Sequence, residues 1–139
     1  MKKGLLIIVL SVCWSCSTNP ETFIPHIEGY WEIEEVTLHD GNKRSYGYNN
    51  TVDYIEITDS LNGFRKKLKP NLYGQFETSN SSESFQIKIE NDSLNLYYQT
   101  PFSTWKETVL DASAEHLRVI NNTNKDVYLY KRYEPLNLE

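Results

Sequence analysis

Histidines and cysteines are the side chains of this sequence that could bind a metal or act as catalytic bases and nucleophiles. The chain has three histidines, His26, His39 and His116, and none has a second histidine two or four positions away. Both cysteines lie near the N-terminus, so no cysteine is left to complete a zinc site elsewhere. We therefore expect solvated histidines, and neither a metal nor a cofactor.

Paired carboxylates are the other usual means of acid–base catalysis. Glu32, Glu34 and Glu35 lie close together in the sequence, but the alternation of a strand sends Glu32 and Glu34 outward. The pattern predicts a solvated face, and we expect that the protein is not an enzyme.

The sharpest charge feature is a basic run on one predicted strand, which consists of Arg65, Lys66, Lys67 and Lys69. Alternation predicts Arg65, Lys67 and Lys69 on the outside of the strand and Lys66 on the inner face with Phe64. Such a surface patch could attract an anionic ligand or an acidic partner. Lysines on an exposed strand equally protect against edge pairing, so both interpretations stay open.

Aromatic residues make up 13% of the chain and include ten tyrosines. If the strands enclose a cavity, the expected lining residues are Tyr54, Phe85, Tyr98 and Trp105. An eight-stranded barrel either fills its interior with side chains or holds one small ligand. The sequence leaves both possibilities open, because the same rings would also suit a packed core.

These side chains must be positioned by strands, since alternating apolar runs with turn residues every 8 to 12 positions continue along the chain. Nine strand candidates result, at residues 27–38, 51–58, 64–69, 72–78, 85–89, 94–98, 105–110, 117–120 and 127–132. No run of helical period reaches ten residues. The pattern predicts one all-β domain, either a sandwich or a barrel.

The first strand carries the most specific pattern. Trp31 and Ile33 share one face, and the phase then slips at Glu34 and Glu35 before Val36. One extra residue at that point predicts a β-bulge. A hairpin turn is expected at residues 40–41, where an Asp-Gly pair follows the strand.

Gly29 and Trp31, at the start of the first strand of a chain of this size, resemble the Gly-x-Trp signature of lipocalins. The resemblance implies a single up-and-down antiparallel β-barrel of about eight or nine strands. It also implies an arginine of the last strand packed across the tryptophan, here Arg132, with Arg118 as the alternative. The chain lacks a disulfide pair, so it is most similar to short lipocalin-like lipoproteins of Bacteroidetes, over residues 27–134.

The N-terminus has the pattern of an export signal, with a basic start and an apolar stretch at residues 5–12 that is too short to span a bilayer. A small residue then precedes Cys16, which predicts lipidation of Cys16, with palmitate as the expected acyl chain; Cys13 is the alternative. Ser17 after the cysteine resembles lipoproteins sent to the outer membrane. The expected boundaries are a signal peptide at 1–15, an anchor and tether at 16–26 and a barrel domain at 27–139.

Net charge limits the possible partners. Of the 14 lysines and arginines, Lys2 and Lys3 leave with the signal, so 12 basic residues face 19 acidic ones and the net charge is −7. Nucleic acid is therefore not an expected partner. Ser60 and Ser93 lie in Asp-Ser-Leu triplets that resemble the O-glycosylation sites of Bacteroidetes.

The sequence thus predicts a lipid-anchored envelope protein, bound to the outer membrane on its periplasmic or outer face. The expected function is non-catalytic binding of a small apolar or amphipathic ligand inside the barrel. The alternative is a filled barrel that binds another envelope protein, or inhibits one, through its surface.

Overall fold

Nine strands and two short helices are present in the described part of the chain, residues 18–59 and 61–135 of a computed structural model. The helices are a 3₁₀ helix at Pro20–Phe23 and α1 at Ile24–Ile27. The strands are β1 Gly29–Thr37, β2 Lys43–Ser45, β3 Val52–Ile57, β4 Asn62–Pro70, β5 Phe76–Glu90, β6 Ser93–Gln99, β7 Thr104–Ala112, β8 His116–Asn121 and β9 Val127–Arg132. In these ranges no helix has the length and apolar character needed to cross a membrane.

The strands form one antiparallel sheet that closes on itself. Neighbouring strands pair in chain order from β3 to β9, while β1 pairs with β3 and with β9. Eight strands therefore make the barrel wall, and β2 pairs only with the last residues of β1. The predicted single up-and-down antiparallel barrel is confirmed.

The first strand has the predicted irregularity. The pairing between β1 and β9 shifts register between Ile33 and Glu35, so Glu34 is the extra residue of the bulge. The predicted turn is also present, since the Leu38 amide donates to the Asn42 carbonyl at 2.8 Å and Gly41 adopts a φ of 88°. Local sequence was sufficient here because both features depend on neighbouring residues alone.

The segment before β1 differs from the prediction. Residues 16–26 were expected to be a tether, but Phe23 and Ile27 are buried in the same core cluster as the inward-facing side chains of the barrel. Asn19 caps the 3₁₀ helix by accepting from the Glu21 amide at 3.1 Å. The two helices pack against β6 and β7 and cover one end of the barrel. The folded domain therefore begins near Pro20.

Aliphatic side chains fill the barrel next to these helices. The most deeply buried of them point inward from five strands and are Ile55, Ile87, Leu94, Leu96, Val109, Leu117 and Val119. Burying a side chain of this size contributes about 1.5–3 kcal/mol relative to exposing it. This packed layer fills the barrel interior at the end that the two helices cover.

The long strand β5 replaces two predicted strands. Residues 72–78 and 85–89 were expected to be separate, but 72–75 form a turn and β5 runs for 15 residues. Lys66 pairs with Ser82 and Leu68 with Thr78, so three residues of β5 lie opposite one residue of β4. The irregularity interrupts the alternation, and for this reason periodicity alone missed the continuous strand. The short strand β2, which is exposed and polar, was also missed.

Candidate functional site

Three of the four predicted lining residues meet inside the barrel. Phe85 and Tyr98 pack edge to face with ring centroids 5.4 Å apart, and Tyr98 stacks on Trp105 at 5.0 Å. Tyr54 does not join them. It lies on the outer face of β3, where its ring centroid is 4.8 Å from that of Tyr30.

The error at Tyr54 has a simple geometric cause. In β3 the buried neighbours Asp53 and Ile55 face the interior, so alternation turns Tyr54 to the opposite face. An outer aromatic cluster forms there, because Tyr30 also stacks on Phe76 at 5.1 Å. Tyr54 donates to Glu56 at 2.9 Å, and this hydrogen bond and partial burial raise the pKa of Tyr54 to about 12.

The predicted basic surface patch is not present as a patch. Arg65 points inward and its side chain is only 13% exposed, while Lys66 lies on the outside above the Phe64 ring at 5.4 Å. Lys67 reaches Asp53 with an Nζ–Oδ1 distance of 2.9 Å, and Lys69 is exposed. The predicted facing of Arg65 and Lys66 was therefore reversed.

Two carboxylates account for the inward orientation of Arg65. Its Nη2 lies 3.0 Å from Glu83 Oε2 on β5, and its Nη1 lies 3.4 Å from Glu107 Oε2 on β7. The guanidinium also lies 4.6 Å above the centroid of the Tyr98 ring. We call these four residues the interior cluster. A signal for it existed in the sequence, since Glu107 occupies an inward position between Trp105 and Val109.

Burial perturbs the ionisation of the interior cluster. It raises the pKa of Glu107, and the positive charge of Arg65 opposes that rise. Burial likewise raises the pKa of Tyr98, again opposed by Arg65. These groups are therefore held in a region of low dielectric, where an unpaired charge is costly.

The space that remains among the side chains of the barrel centre is small. Its volume is about 10 Å³, which is the room needed by about one water molecule. Its lining combines aromatic, aliphatic and charged side chains, namely Trp31, Asp53, Ile55, Arg65, Leu96, Tyr98, Glu107, Leu117, Val119 and Tyr130. In this conformation the barrel interior is filled by its own side chains.

Trp31 and Arg132 meet at the end of the barrel next to the helices. The guanidinium carbon of Arg132 lies 3.6 Å from the centroid of the Trp31 ring. Arg132 also donates to the carbonyls of His26 at 3.1 Å and Ala114 at 3.0 Å. Gly29 is required beside it, because its φ is 123° and a Cβ there would collide with the guanidinium. Arg118, the alternative partner, is exposed on β8.

A large concave surface lies outside the barrel, and we call it the outer groove. Its volume is about 830 Å³. It runs between the loop after β2, the turn between β4 and β5, and the end of β9, and is lined by Glu32, Gly47, Tyr48, Asn49, Pro70, Asn71, Leu72, Gly74, Glu115, His116, Lys131, Arg132, Tyr133, Glu134 and Pro135. Tyr48 and Leu72 are 82% and 76% exposed. The groove thus combines apolar rings and prolines with charges of both signs.

The other residues considered for chemistry are dispersed. His116 lies 3.3 Å from Glu34, His39 lies 3.7 Å from Asp126, and the carbonyl of His26 accepts from Arg132. Within residues 18–59 and 61–135, no three histidine or carboxylate side chains come together as metal ligands would. Ser93 is half-buried at the start of β6, while Ser60, Cys13 and Cys16 lie outside the described residues.

Comparison with known proteins places these features in a family. The sequence model of a family described as a lipocalin-like domain matches residues 27–119. The crystal structure of a lipocalin-like protein from Bacteroides uniformis is similar to this chain with a TM-score of 0.47 and 9% identity, over 78% of this chain and 99% of that one. No curated protein sequence matches the chain significantly. A barrel of this kind fits a binding protein.

Proposed function

The chain belongs to the lipocalin-like domain family, and from that premise we propose that it is a non-catalytic binding protein that uses its outer groove. The observation that carries the proposal is the contrast between two volumes. The barrel centre offers about 10 Å³ and the outer groove about 830 Å³, and small-molecule sites usually measure about 300–1,000 Å³. A ligand larger than a few atoms therefore has room in the groove but not in the barrel centre.

The lining of the outer groove favours an amphipathic ligand. Tyr48, Leu72 and Tyr133 offer apolar surface, whereas Lys131 and Glu115 offer charges at the same groove. A purely apolar molecule would leave those charges without compensation, and a purely polar one would leave the exposed rings in water. We therefore propose a small amphipathic molecule as the ligand class.

A titration with the amphipathic dye 1-anilinonaphthalene-8-sulfonate tests the groove. We expect the double variant Tyr48→Ala/Leu72→Ala to bind the dye about 10-fold more weakly, since losing about 1.4 kcal/mol of contact has that effect. Phe102→Ala is the matched control, because Phe102 is 97% exposed and does not line the groove. Unchanged dye affinity in the double variant, with both variants folded, would refute the proposal.

A protein partner is the second candidate. It is favoured by Tyr73, which is 88% exposed on the turn beside the groove, since tyrosines are frequent at protein interfaces. Photo-crosslinking from position 73 in the host envelope distinguishes the two. A discrete crosslinked protein, lost in Tyr48→Ala/Leu72→Ala, would favour this candidate over the small ligand.

We also propose that Cys16 carries a lipid anchor that attaches the protein to the outer membrane, and that Ser60 and Ser93 are O-glycosylated. The sequence patterns described above support these proposals. Intact mass of the protein purified from its host tests them together. A mass equal to the unmodified chain from residue 16 would contradict both modifications, and loss of the acyl mass in Cys16→Ala but not in Cys13→Ala would identify the anchor.

A further inference from the structure

Arg65 has one donor without a partner among the described residues. Its two terminal nitrogens face Glu83 and Glu107, but its Nε is buried and forms no hydrogen bond with any described residue. Leaving a buried donor unsatisfied costs about 1–3 kcal/mol, and nearly all buried polar groups therefore have a partner.

Two tyrosines line the same space as the Arg65 side chain. They are Tyr98 and Tyr130, and both residues are buried. Three residues that carry polar groups thus line a space of about 10 Å³. A buried water molecule needs about this volume and two to four polar partners.

The charges around the space favour a neutral molecule as its occupant. The acidic groups are Asp53, Glu83 and Glu107, and the basic groups are Arg65 and Lys67. A further anion would add to the excess of negative charge, while a cation would meet the Nε–H donor of Arg65. The bound molecule must accept a hydrogen bond from Arg65 and be able to donate one to a tyrosine oxygen. Water does both.

We propose that the barrel centre is a binding site for a single water molecule, which accepts from Arg65 Nε–H and bonds to the hydroxyls of Tyr98 and Tyr130. The water completes the interior cluster and occupies the space that remains in the barrel. This inference concerns the barrel centre alone and does not depend on binding in the outer groove.

Nuclear magnetic resonance on the mature protein tests the site directly. The Nε–H proton of Arg65 is identified as the arginine signal that disappears in Arg65→Lys, and we expect a cross-peak between this proton and a long-lived water. Tyr130→Phe should weaken that cross-peak, whereas Tyr97→Phe, on the outer face of the same sheet, should leave it unchanged. A protected Nε–H signal without a water cross-peak would overturn the proposal.

A high-resolution crystal structure gives a second test that requires no variant. We expect density for one isolated atom within hydrogen-bond distance of Arg65 Nε and at least one of the two hydroxyls. Density for a protein acceptor at Nε would overturn the proposal, and so would elongated density, which would identify a larger interior ligand.

Discussion

Replacing Arg65 with alanine is expected to lower the free energy of unfolding by about 3–5 kcal/mol, because removing one partner of a buried ion pair leaves the other charge uncompensated. Glu107 would be left with its side chain only 6% exposed, and Glu83 would lose its cation at 3.0 Å. The variant also loses the guanidinium above the Tyr98 ring. Urea unfolding followed by tryptophan fluorescence measures the change, since Trp31 and Trp105 lie in and beside the core.

A matched double variant separates charge from volume. In Arg65→Met/Glu107→Gln both partners are neutral and of similar size, so most of the lost stability should return. Arg65→Met alone keeps the volume but still leaves the carboxylates, and it should stay close to Arg65→Ala. Recovery in the single methionine variant would mean that packing, and not charge, dominates at this site.

The pH dependence of the stability loss in Arg65→Ala follows from the direction of the Glu107 pKa shift. Burial raises the pKa of Glu107 in the folded state above its value in the unfolded chain. The stability associated with its neutral form is therefore fully present below the unfolded pKa and is lost as the pH rises through the folded pKa. Without Arg65 the pKa of Glu107 in the folded state rises further. The loss of unfolding free energy in Arg65→Ala should therefore be smallest in acid and largest above neutrality. A deficit that is constant with pH would contradict this account.

The features that sequence predicted correctly are local ones. The bulge at Glu34 and the turn at Gly41 depend on residues a few positions apart, and strand alternation needs only period two. Placing Arg132 over Trp31 did not come from such a pattern, because the two residues lie at opposite ends of the chain. That expectation came from the Gly-x-Trp resemblance.

Alternation marks Glu107 as an inward residue, but the interior cluster as a whole could not be predicted because its members are far apart in sequence. Arg65 and Glu107 are separated by 42 positions, and only closure of the barrel brings them together. Alternation treats Arg65 as an outward residue, since a lone guanidinium would be costly inside. A shift of one position reverses the facing of every side chain of a strand. The wrong facing predicted for Arg65 therefore also made the facing predicted for Lys66 wrong.

The N-terminal helices were not predicted from the sequence, and the reason is a different one. Pro20–Phe23 and Ile24–Ile27 have four residues each, far fewer than the roughly 12–15 that an isolated helix needs in water. They are held by the burial of Phe23 and Ile27 against the barrel. Such elements depend on tertiary contacts that no local pattern contains.

The second large loss of stability is expected at the contact between Trp31 and Arg132. Trp31→Ala is expected to lower the free energy of unfolding by about 3–5 kcal/mol, as large buried aromatics do when truncated. Trp31 is 1% exposed, and its indole Nε1 donates to the Ile27 carbonyl at 2.8 Å. The substitution therefore removes core volume and the hydrogen bond that ties α1 to β1. Urea unfolding measures the loss, with Trp105 as the remaining core probe.

A double-mutant cycle with Arg132 shows how much of this loss belongs to the pair. Arg132→Ala removes the donors to the carbonyls of His26, Ser113 and Ala114 as well as the stacking on Trp31, and we expect a loss of about 2 kcal/mol. Arg132→Lys should recover little of it, because an ammonium cannot both stack and reach several carbonyls. Arg118→Ala, on the exposed face of β8, should change stability by less than about 0.5 kcal/mol. Strictly additive losses at Trp31 and Arg132 would mean that the stacked geometry contributes nothing, and the arginine would then act only by joining the helical end of the barrel to the turn before β8.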